Sequence, residues 1–369
     1  MRILITCHTP ADRDTGAFGV TYHFGEQLKS QGAHVDYFTF DNMPRWLQFR
    51  FKYTLFPLWV FFFVLRNRSF DILYSTTADT WLLGMVRGRA RTPKITVASH
   101  GLEHMLEASK ERGIRFTMRY AVWLRFHLWC VARSLKDADH VFVLTKHEKD
   151  YMAQHFAISS ERISQVSHPL PKYFRGLPAH VVPKEFKILF VGSWLPRKGI
   201  TYLIEACNLF VTEIADFSIS LVGVRMSLDE IKGWFPQRLH TRIRVIPSLE
   251  HNALPKVYQE HSVFLFPSLF EGFGRVLQEA MACGMPVITT PVGIAKEWVK
   301  DNVNGLLVPM KDAAAIAQRL AWVFHHPQEA KVLGERAQAF IHTMQQDQGF
   351  EDRFKVLQQL LPCVSGKTL

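Results

Sequence analysis

Phe266-Pro-Ser-Leu-Phe-Glu271-Gly-Phe-Gly274-Arg-Val-Leu-Gln-Glu279-Ala-Met-Ala-Cys-Gly284-Met-Pro286-Val joins the end of one apolar run to the start of the next. Val263 to Pro267 reads as a buried strand. A glycine-bearing loop follows, and a helix is expected from near Gly274 to Gly284, where a helix C-terminus favours glycine. The loop then lies at the carboxyl end of a parallel strand, where open α/β sheets bind ligands. Backbone N–H groups around Phe273, Gly274 and Arg275 open that helix and, with its dipole, suit a diphosphate. Glu271 on the loop and Glu279 in the second turn of the helix flank this anion site, and both can accept hydrogen bonds from sugar hydroxyls. The plainer alternative is two solvated glutamates at a helix end.

The same rhythm runs outward in both directions. Arg2 to Cys7, Ala33 to Phe40, Asp71 to Ser75, Ile95 to Ser99 and His140 to Leu144 read as buried strands separated by helical patterns, as in a parallel sheet flanked by helices. The pattern breaks at Ser167 to Pro183, a stretch with four prolines, and Lys187 to Gly192 starts it again. The expected division is one α/β domain over residues 1–180 and a second over 181–348. The tail, 349–369, reads as an amphipathic helix for which the first domain is one place to pack.

The Glu271 to Glu279 segment resembles the E-x7-E motif of the family 4 retaining glycosyltransferases, which implies a GT-B fold: two Rossmann-like, doubly wound α/β domains facing a central cleft. Phe190-Val-Gly192-Ser193, followed by Pro196-Arg197-Lys198-Gly199, resembles the family's strand and loop in which an arginine and a lysine hold the donor's diphosphate. Such cations also stabilise the charge growing on the leaving group; a solvated basic turn is the alternative. Val245-Ile-Pro247, followed by the Leu254-to-Tyr258 helix, resembles the stretch flanking the nucleotide base, and Asn304-Gly305-Leu306-Leu307-Val308 the family's closing strand. In the first half, Thr15-Gly16-Ala17-Phe18-Gly19 occupies the loop where the family has paired glycines near the donor, so Gly16 and Gly19 join the donor-binding set, with an ordinary strand-to-helix turn as the alternative. Ser99-His100-Gly101-Leu102-Glu103 resembles the site whose histidine approaches the sugar from the acceptor side, with Glu103 and His104 as further acceptor contacts. Where the family has N-G-V-D, this chain has Ser167-His168-Pro169-Leu170.

Composition is consistent with these expectations. The chain has 369 residues, 48% of them hydrophobic and 21% charged, with a net charge of +11. Residues 1–180 carry 24 Lys/Arg against 15 Asp/Glu, so the excess lies in the first half. Five separated cysteines form no metal knuckle or disulfide framework. The longest strongly apolar run, Tyr53 to Leu65, has 13 residues, where a spanning helix needs about 20. A cytoplasmic protein is expected. Between Arg45 and Lys136, 16 basic residues are interleaved with Trp46, Phe49, Phe51, Trp59, Trp123, Phe126 and Trp129. On a helical wheel Arg115, Arg119, Arg125, Arg133 and Lys136 share one arc, opposite an apolar face. Two readings stand side by side: a peripheral contact with the anionic inner face of a membrane, or arginines forming the solvated edge of a helix packed on the sheet. No nucleic-acid recognition motif accompanies the charge.

The expected reaction is a retaining transfer from a UDP-, GDP- or ADP-sugar to a saccharide or lipid-linked acceptor hydroxyl, in bacterial-type cell-surface glycan or glycolipid synthesis. Glu271, Lys198, Arg197 and His100 are the expected catalytic residues; Gly16, Gly19, Gly192, Phe273, Gly274, Arg275 and Glu279 are expected to bind donor. The resemblance implies that the leaving phosphate can itself take the acceptor's proton. No Asp-x-Asp metal site lies near these motifs, so no metal or other cofactor is expected. The rivals are a nucleotide-sugar epimerase of the same fold and a non-catalytic binding protein for sugar nucleotides or membrane surfaces. Neither domain's first strand is followed by G-x-G-x-x-G, which argues against a nicotinamide dehydrogenase.

Overall fold

The computed structural model describes residues 1–11, 16–44, 52–87, 92–102, 104–105, 118–344 and 348–361, with the side chains of 16, 17 and 118–120 excepted. The described residues of Met1–Met105, Ile114–Pro169 and Asp347–Leu369 form one compact unit, and those of Leu170–Gln346 a second.

The first unit contains β1 (Arg2–Thr6), α1 (Gly16–Ser30), β2 (His34–Phe38), α2 (Lys52–Arg66), β3 (Ile72–Thr76), α3 (Trp81–Met85), β4 (Lys94–Ala98), α4 (Met118–Asp137), β5 (His140–Val143), α5 (Lys146–Phe156) and β6 (Ile163–Gln165). Its six strands are parallel in the order β2-β1-β3-β4-β5-β6. A parallel sheet is covered on both faces, so its strands are apolar almost throughout. Ile3, Ile5, Ile72 and Tyr74 pack on one face with Phe24 and Leu28 of α1. Leu4 and Leu73, one residue out of phase, pack on the other with Phe56 of α2 and Leu135 of α4. The last helix of the chain (Gln348–Leu360) completes the first face: Phe350 and Leu357 enter that core, and the Phe350 ring lies 5.8 Å from Phe24.

The second unit contains β7 (Lys187–Val191), α6 (Ile200–Glu213), β8 (Ser218–Val222), α7 (Leu228–Lys232), β9 (Ile243–Ile246), α8 (Leu254–Gln259), β10 (Val263–Phe266), α9 (Arg275–Ala282), β11 (Val287–Thr289), α10 (Ala295–Trp298), β12 (Leu306–Leu307), α11 (Ala313–His325) and α12 (Pro327–Thr343). The helix at the end of the chain is therefore α13. The strands, again all parallel, run β12-β11-β10-β7-β8-β9. From β7 the chain winds outward through β8 to β9, then returns to the other side of β7 and winds out through β10 to β12. The loops after β7 and β10 consequently leave the sheet as neighbours at its topological switch point, where doubly wound sheets open a crevice.

Gly199 lets these two loops touch. Its φ of +71° is left-handed, and a Cβ there would stand 1.9 Å from the carbonyl oxygen of Pro267 at the end of β10. Two residues on, the Leu269 N–H donates to the Arg197 carbonyl at 2.7 Å. Gly199→Ala is expected to force the loops apart and destabilise the protein by about 1–3 kcal/mol. A thermal melt followed by circular dichroism checks this; an unchanged midpoint would show that the loops can separate at no cost.

Candidate active site

Lys187–Val191 delivers Gly192, and the turn Pro196–Lys198 places Arg197 and Lys198 beside the loop after β10. Lys198 Nζ lies 2.6 Å from Glu271 Oε1, and Arg197 Nη1 lies 3.5 Å from Glu271 Oε2. Ser268 Oγ donates to Glu271 Oε1 at 2.8 Å. The Glu271 side chain is 8% exposed, against 12% for Lys198 and 34% for Arg197. One carboxylate thus holds two cations at the ends of β7 and β10. The cations outnumber it, which favours a further anion.

That anion has a second anchor. Gly274, at φ +99°, caps α9, and its carbonyl accepts from Leu277 N at 2.9 Å. The first N–H groups of α9 face out of the helix end, as helix geometry requires. Phe273 is buried, its ring edge-on to Trp298 at 5.5 Å, and its carbonyl accepts from Ile294 N at 2.8 Å. The loop is pinned from behind while its amides face forward.

Glu279 lies deeper, 3% exposed. Tyr258 OH is 3.2 Å from Glu279 Oε2 and 3.2 Å from the Val276 carbonyl, and Arg275 Nη2 lies 4.0 Å from Glu279 Oε1. Burial raises the carboxyl's pKa, against the opposing pull of Arg275, His251 and the Tyr258 hydrogen bond. Tyr258 lies on α8, the helix expected to flank the nucleotide base, but its contact with Glu279 was not expected from the sequence. Among the expected donor-side residues, Arg197, Lys198, Glu271, Phe273, Gly274, Arg275 and Glu279 come together at the ends of β7 and β10, with Gly192 ending β7.

In the first unit, Gly16 and Gly19 are not in a loop: α1 begins at Gly16, so both fall within its first four residues, and Gly19 is buried. A helix's first N–H groups are unpaired whatever the residue, which removes part of glycine's usual penalty there. Thr15 and Glu103 lie outside the described residues. His104 packs edge-on to Phe156 at 4.9 Å.

His100 follows β4. Ser99 Oγ donates to the buried Glu148 carboxylate and accepts from Gly101 N at 3.2 Å, which holds the turn carrying His100. His100, Thr21, Ser99, His168 and Arg353 line a cavity of about 10 Å³, room for about one water. Arg353 comes from α13 and is 4% exposed. Its guanidinium lies 5.4 Å from the centre of the Phe24 ring, and among the described residues its Nε meets no hydrogen-bond partner. Burial first, then the charges of Arg353 and His8, hold the His100 pKa down to about 4.

The basic helix differs from the expected division into a cationic and an apolar face. Arg115 lies outside the described residues, as do Trp46, Phe49, Phe51 and the Arg119 side chain. On α4, exposed Arg125 and Lys136 share the solvent side with Phe126, 44% exposed, and Trp129, 48% exposed. Trp81 of α3 joins these two rings, 5.9 Å from Phe126 and 5.5 Å from Trp129. Arg133 is bound to Asp137 at 2.5 Å. Among the described residues no helix is long and apolar enough to cross a membrane.

Two family models match the chain in succession: "Glycosyltransferase Family 4" over residues 14–171 and "Glycosyl transferases group 1" over 178–340. An uncharacterised glycosyltransferase of Methanocaldococcus jannaschii is 31% identical over 41% of this chain and 42% of its own length. The UDP-Gal:alpha-D-GlcNAc-diphosphoundecaprenol alpha-1,3-galactosyltransferase of Escherichia coli is 22% identical over 70% of this chain and 68% of its own. The chain thus spans between about two fifths and two thirds of these relatives. Sucrose-phosphate synthase of Thermosynechococcus elongatus superposes with a TM-score of 0.78 at 22% identity, over 98% of this chain and 99% of that one. HepE of Anabaena, solved in complex with UDP, gives 0.72 at 17% identity, over 97% and 100%. These likenesses establish the GT-B fold.

The environment of His100 has a measurable consequence. Its folded-state pKa of about 4 lies below the ordinary 6.5, so the folded chain favours the neutral ring. Its contribution to stability is complete above about pH 6.5 and is lost as the pH falls toward 4, by up to about 1.4 kcal/mol per pH unit. Arg353→Met removes one of the charges that hold the value down. An NMR titration should show His100 moving upward toward the ordinary value; an unmoved titration would leave burial and His8 as the causes.

Proposed function

The chain belongs to the family 4 glycosyltransferases, and we propose from that premise that it moves a sugar from a nucleotide-diphosphate sugar to an acceptor hydroxyl with retention of configuration, in the synthesis of a cell-surface glycan or glycolipid. The observation that carries this reading is the meeting of Lys198, Arg197 and Glu271 in front of the amino end of α9. The donor's diphosphate binds Lys198, Arg197 and the first amides of α9. The cations then exchange Glu271 for phosphate, and the released carboxylate accepts hydrogen bonds from the sugar's hydroxyls. Glu279, backed by Tyr258, receives the ribose hydroxyls. As the bond from sugar to phosphate breaks, negative charge grows on a group already surrounded by positive ends, which lowers the barrier.

The presence of UDP in the HepE structure supports a uridine nucleotide, and the name of the Escherichia coli relative supports a lipid-linked acceptor. Two side-chain cations and a helix end supply the charge that a divalent ion supplies elsewhere, so the transfer is proposed to proceed without one. The Trp81, Phe126 and Trp129 cluster, with Arg125 on the same helix, supports seating at an anionic membrane surface, where aromatic rings enter the interface and arginine meets headgroups.

Screening nucleotide sugars for an upward shift of the melting temperature identifies the donor, since a ligand of the native state raises apparent stability. Glu271→Ala and Lys198→Ala should each abolish transfer with the fold intact, and a chelator should leave wild-type transfer unchanged. Full activity in either variant, or donor turnover with no acceptor present, sinks the reading. In a separate test, the protein should co-sediment with phosphatidylserine-containing vesicles, and Phe126→Ser with Trp129→Ser should weaken this several-fold. Equal binding to neutral vesicles would remove the electrostatic part.

A further inference from the structure

Helix α13 buries a charge where its pattern asks for an apolar side chain. Phe350, Arg353 and Leu357 are spaced three and four apart and so share one face of the helix. Phe350 and Leu357 enter the core of the first unit, and Arg353 goes in between them, 4% exposed. Its guanidinium lies over the Phe24 ring, 5.4 Å from the centre. Among the described residues that guanidinium forms no hydrogen bond and no ion pair. Asp352, next in the chain, accepts instead from Gln348 Nε2 at 2.6 Å. Burial lowers the Arg353 pKa, while Tyr74 and Asp352 raise it, and an arginine keeps its proton at neutral pH. An unpartnered charge out of water is costly, and an aromatic ring offsets only part of that cost.

The charge faces a cavity. Arg353, Thr21, Ser99 and His100 stand on its wall, contributed by α13, α1 and the turn after β4, all within the first unit. Among the described residues no aspartate or glutamate lines it. Glu148, behind Ser99, accepts from Ser99 Oγ and, at 3.1 Å, from Leu144 N. The volume of about 10 Å³ has room for about one particle of water's size. A water there can accept a hydrogen bond from the guanidinium but cannot neutralise it. A monatomic anion does both, whereas sulfate, phosphate and carboxylates are too large for the space.

We propose that this cavity binds one chloride-sized anion, held by the Arg353 guanidinium. The anion supplies the counter-charge that the core lacks and ties α13 to α1 and to the end of β4. It takes no part in the donor set of Lys198, Arg197 and α9, which belongs to the second unit. It also offsets one of the two charges that hold the His100 pKa down. The other charge is that of His8, which follows β1 at the switch point of this sheet. His8 Nδ1 lies 3.0 Å from Oδ1 of Asp79, whose side chain is 2% exposed.

The test compares thermal melts of the full chain in sodium chloride and in sodium gluconate at one ionic strength, gluconate being far too large for the cavity. Wild type should melt about 2 °C or more higher in chloride, because an ion bound by the folded state alone raises its stability. Arg353→Met should melt alike in the two salts, and Arg353→Lys, which keeps the charge, should retain part of the difference. In wild-type crystals soaked in sodium bromide, an anomalous-scattering peak should stand in hydrogen-bond contact with the Arg353 guanidinium. Equal wild-type midpoints in the two salts overturn the proposal, as does a chloride effect that survives in Arg353→Met. A bromide map with only a water beside the guanidinium overturns it too, and that map decides alone if Arg353→Met does not fold.

Discussion

The contact between Lys198 and Glu271, 2.6 Å long and nearly buried, holds together the donor-side half of the molecule. Its partners lie on different loops, 73 residues apart in sequence, and meet only because the strand order sets β7 against β10. Removing Lys198 still leaves Glu271 paired with Arg197 and hydrogen-bonded by Ser268, so the loss falls on the site rather than on the fold. The glycine beneath Pro267 and the backbone bond from Leu269 to Arg197 keep the loops at the spacing this contact needs. The two loops are therefore already assembled around the Glu271 carboxylate.

The two switch points of the chain carry opposite chemistry. In the second unit, two cations surround one carboxylate beside a helix's amino end, a set that lacks negative charge. In the first, a buried carboxylate supports an imidazole, and a second imidazole nearby is kept neutral by burial and by a buried arginine. The first arrangement suits an anion. Parallel folds thus present two unlike chemistries at equivalent places, and the side chains immediately beyond the strands make the difference.

Much of this was legible in the sequence because it is local. The strands are apolar almost without interruption, since both faces of a parallel sheet are covered. The stretch from Val263 to Gly284 encodes strand, loop and helix within two dozen residues. Arg197 and Lys198 announce themselves beside a glycine. The start of α1 was not legible, because the N–H groups of a helix's first turn are unpaired and glycines there read equally well as a loop. The contact of His8 with Asp79 was not legible for a different reason: 71 positions separate them, and no spacing rule joins a histidine after one strand to an aspartate after another. Arg353 reads as a break in an amphipathic pattern until the helix is seen packed with that side inward. On α4 the arc of basic residues could be drawn, but not the identity of the face that the sheet covers.

The return of α13 to the first unit has a consequence for how the protein is made. Ile3, Ile5, Phe24 and Leu28 form one face of a core that Phe350 and Leu357 complete. The other residues of that core emerge first from the ribosome. At about 5–20 residues per second, the stretch between Pro169 and α13 takes roughly 10 to 40 s to synthesise. Throughout that interval the earlier unit carries an uncovered apolar groove, while the later unit can close its own sheet without help. Folding therefore runs in reverse of synthesis: the unit whose strands are made earlier is sealed only once α13 has been made.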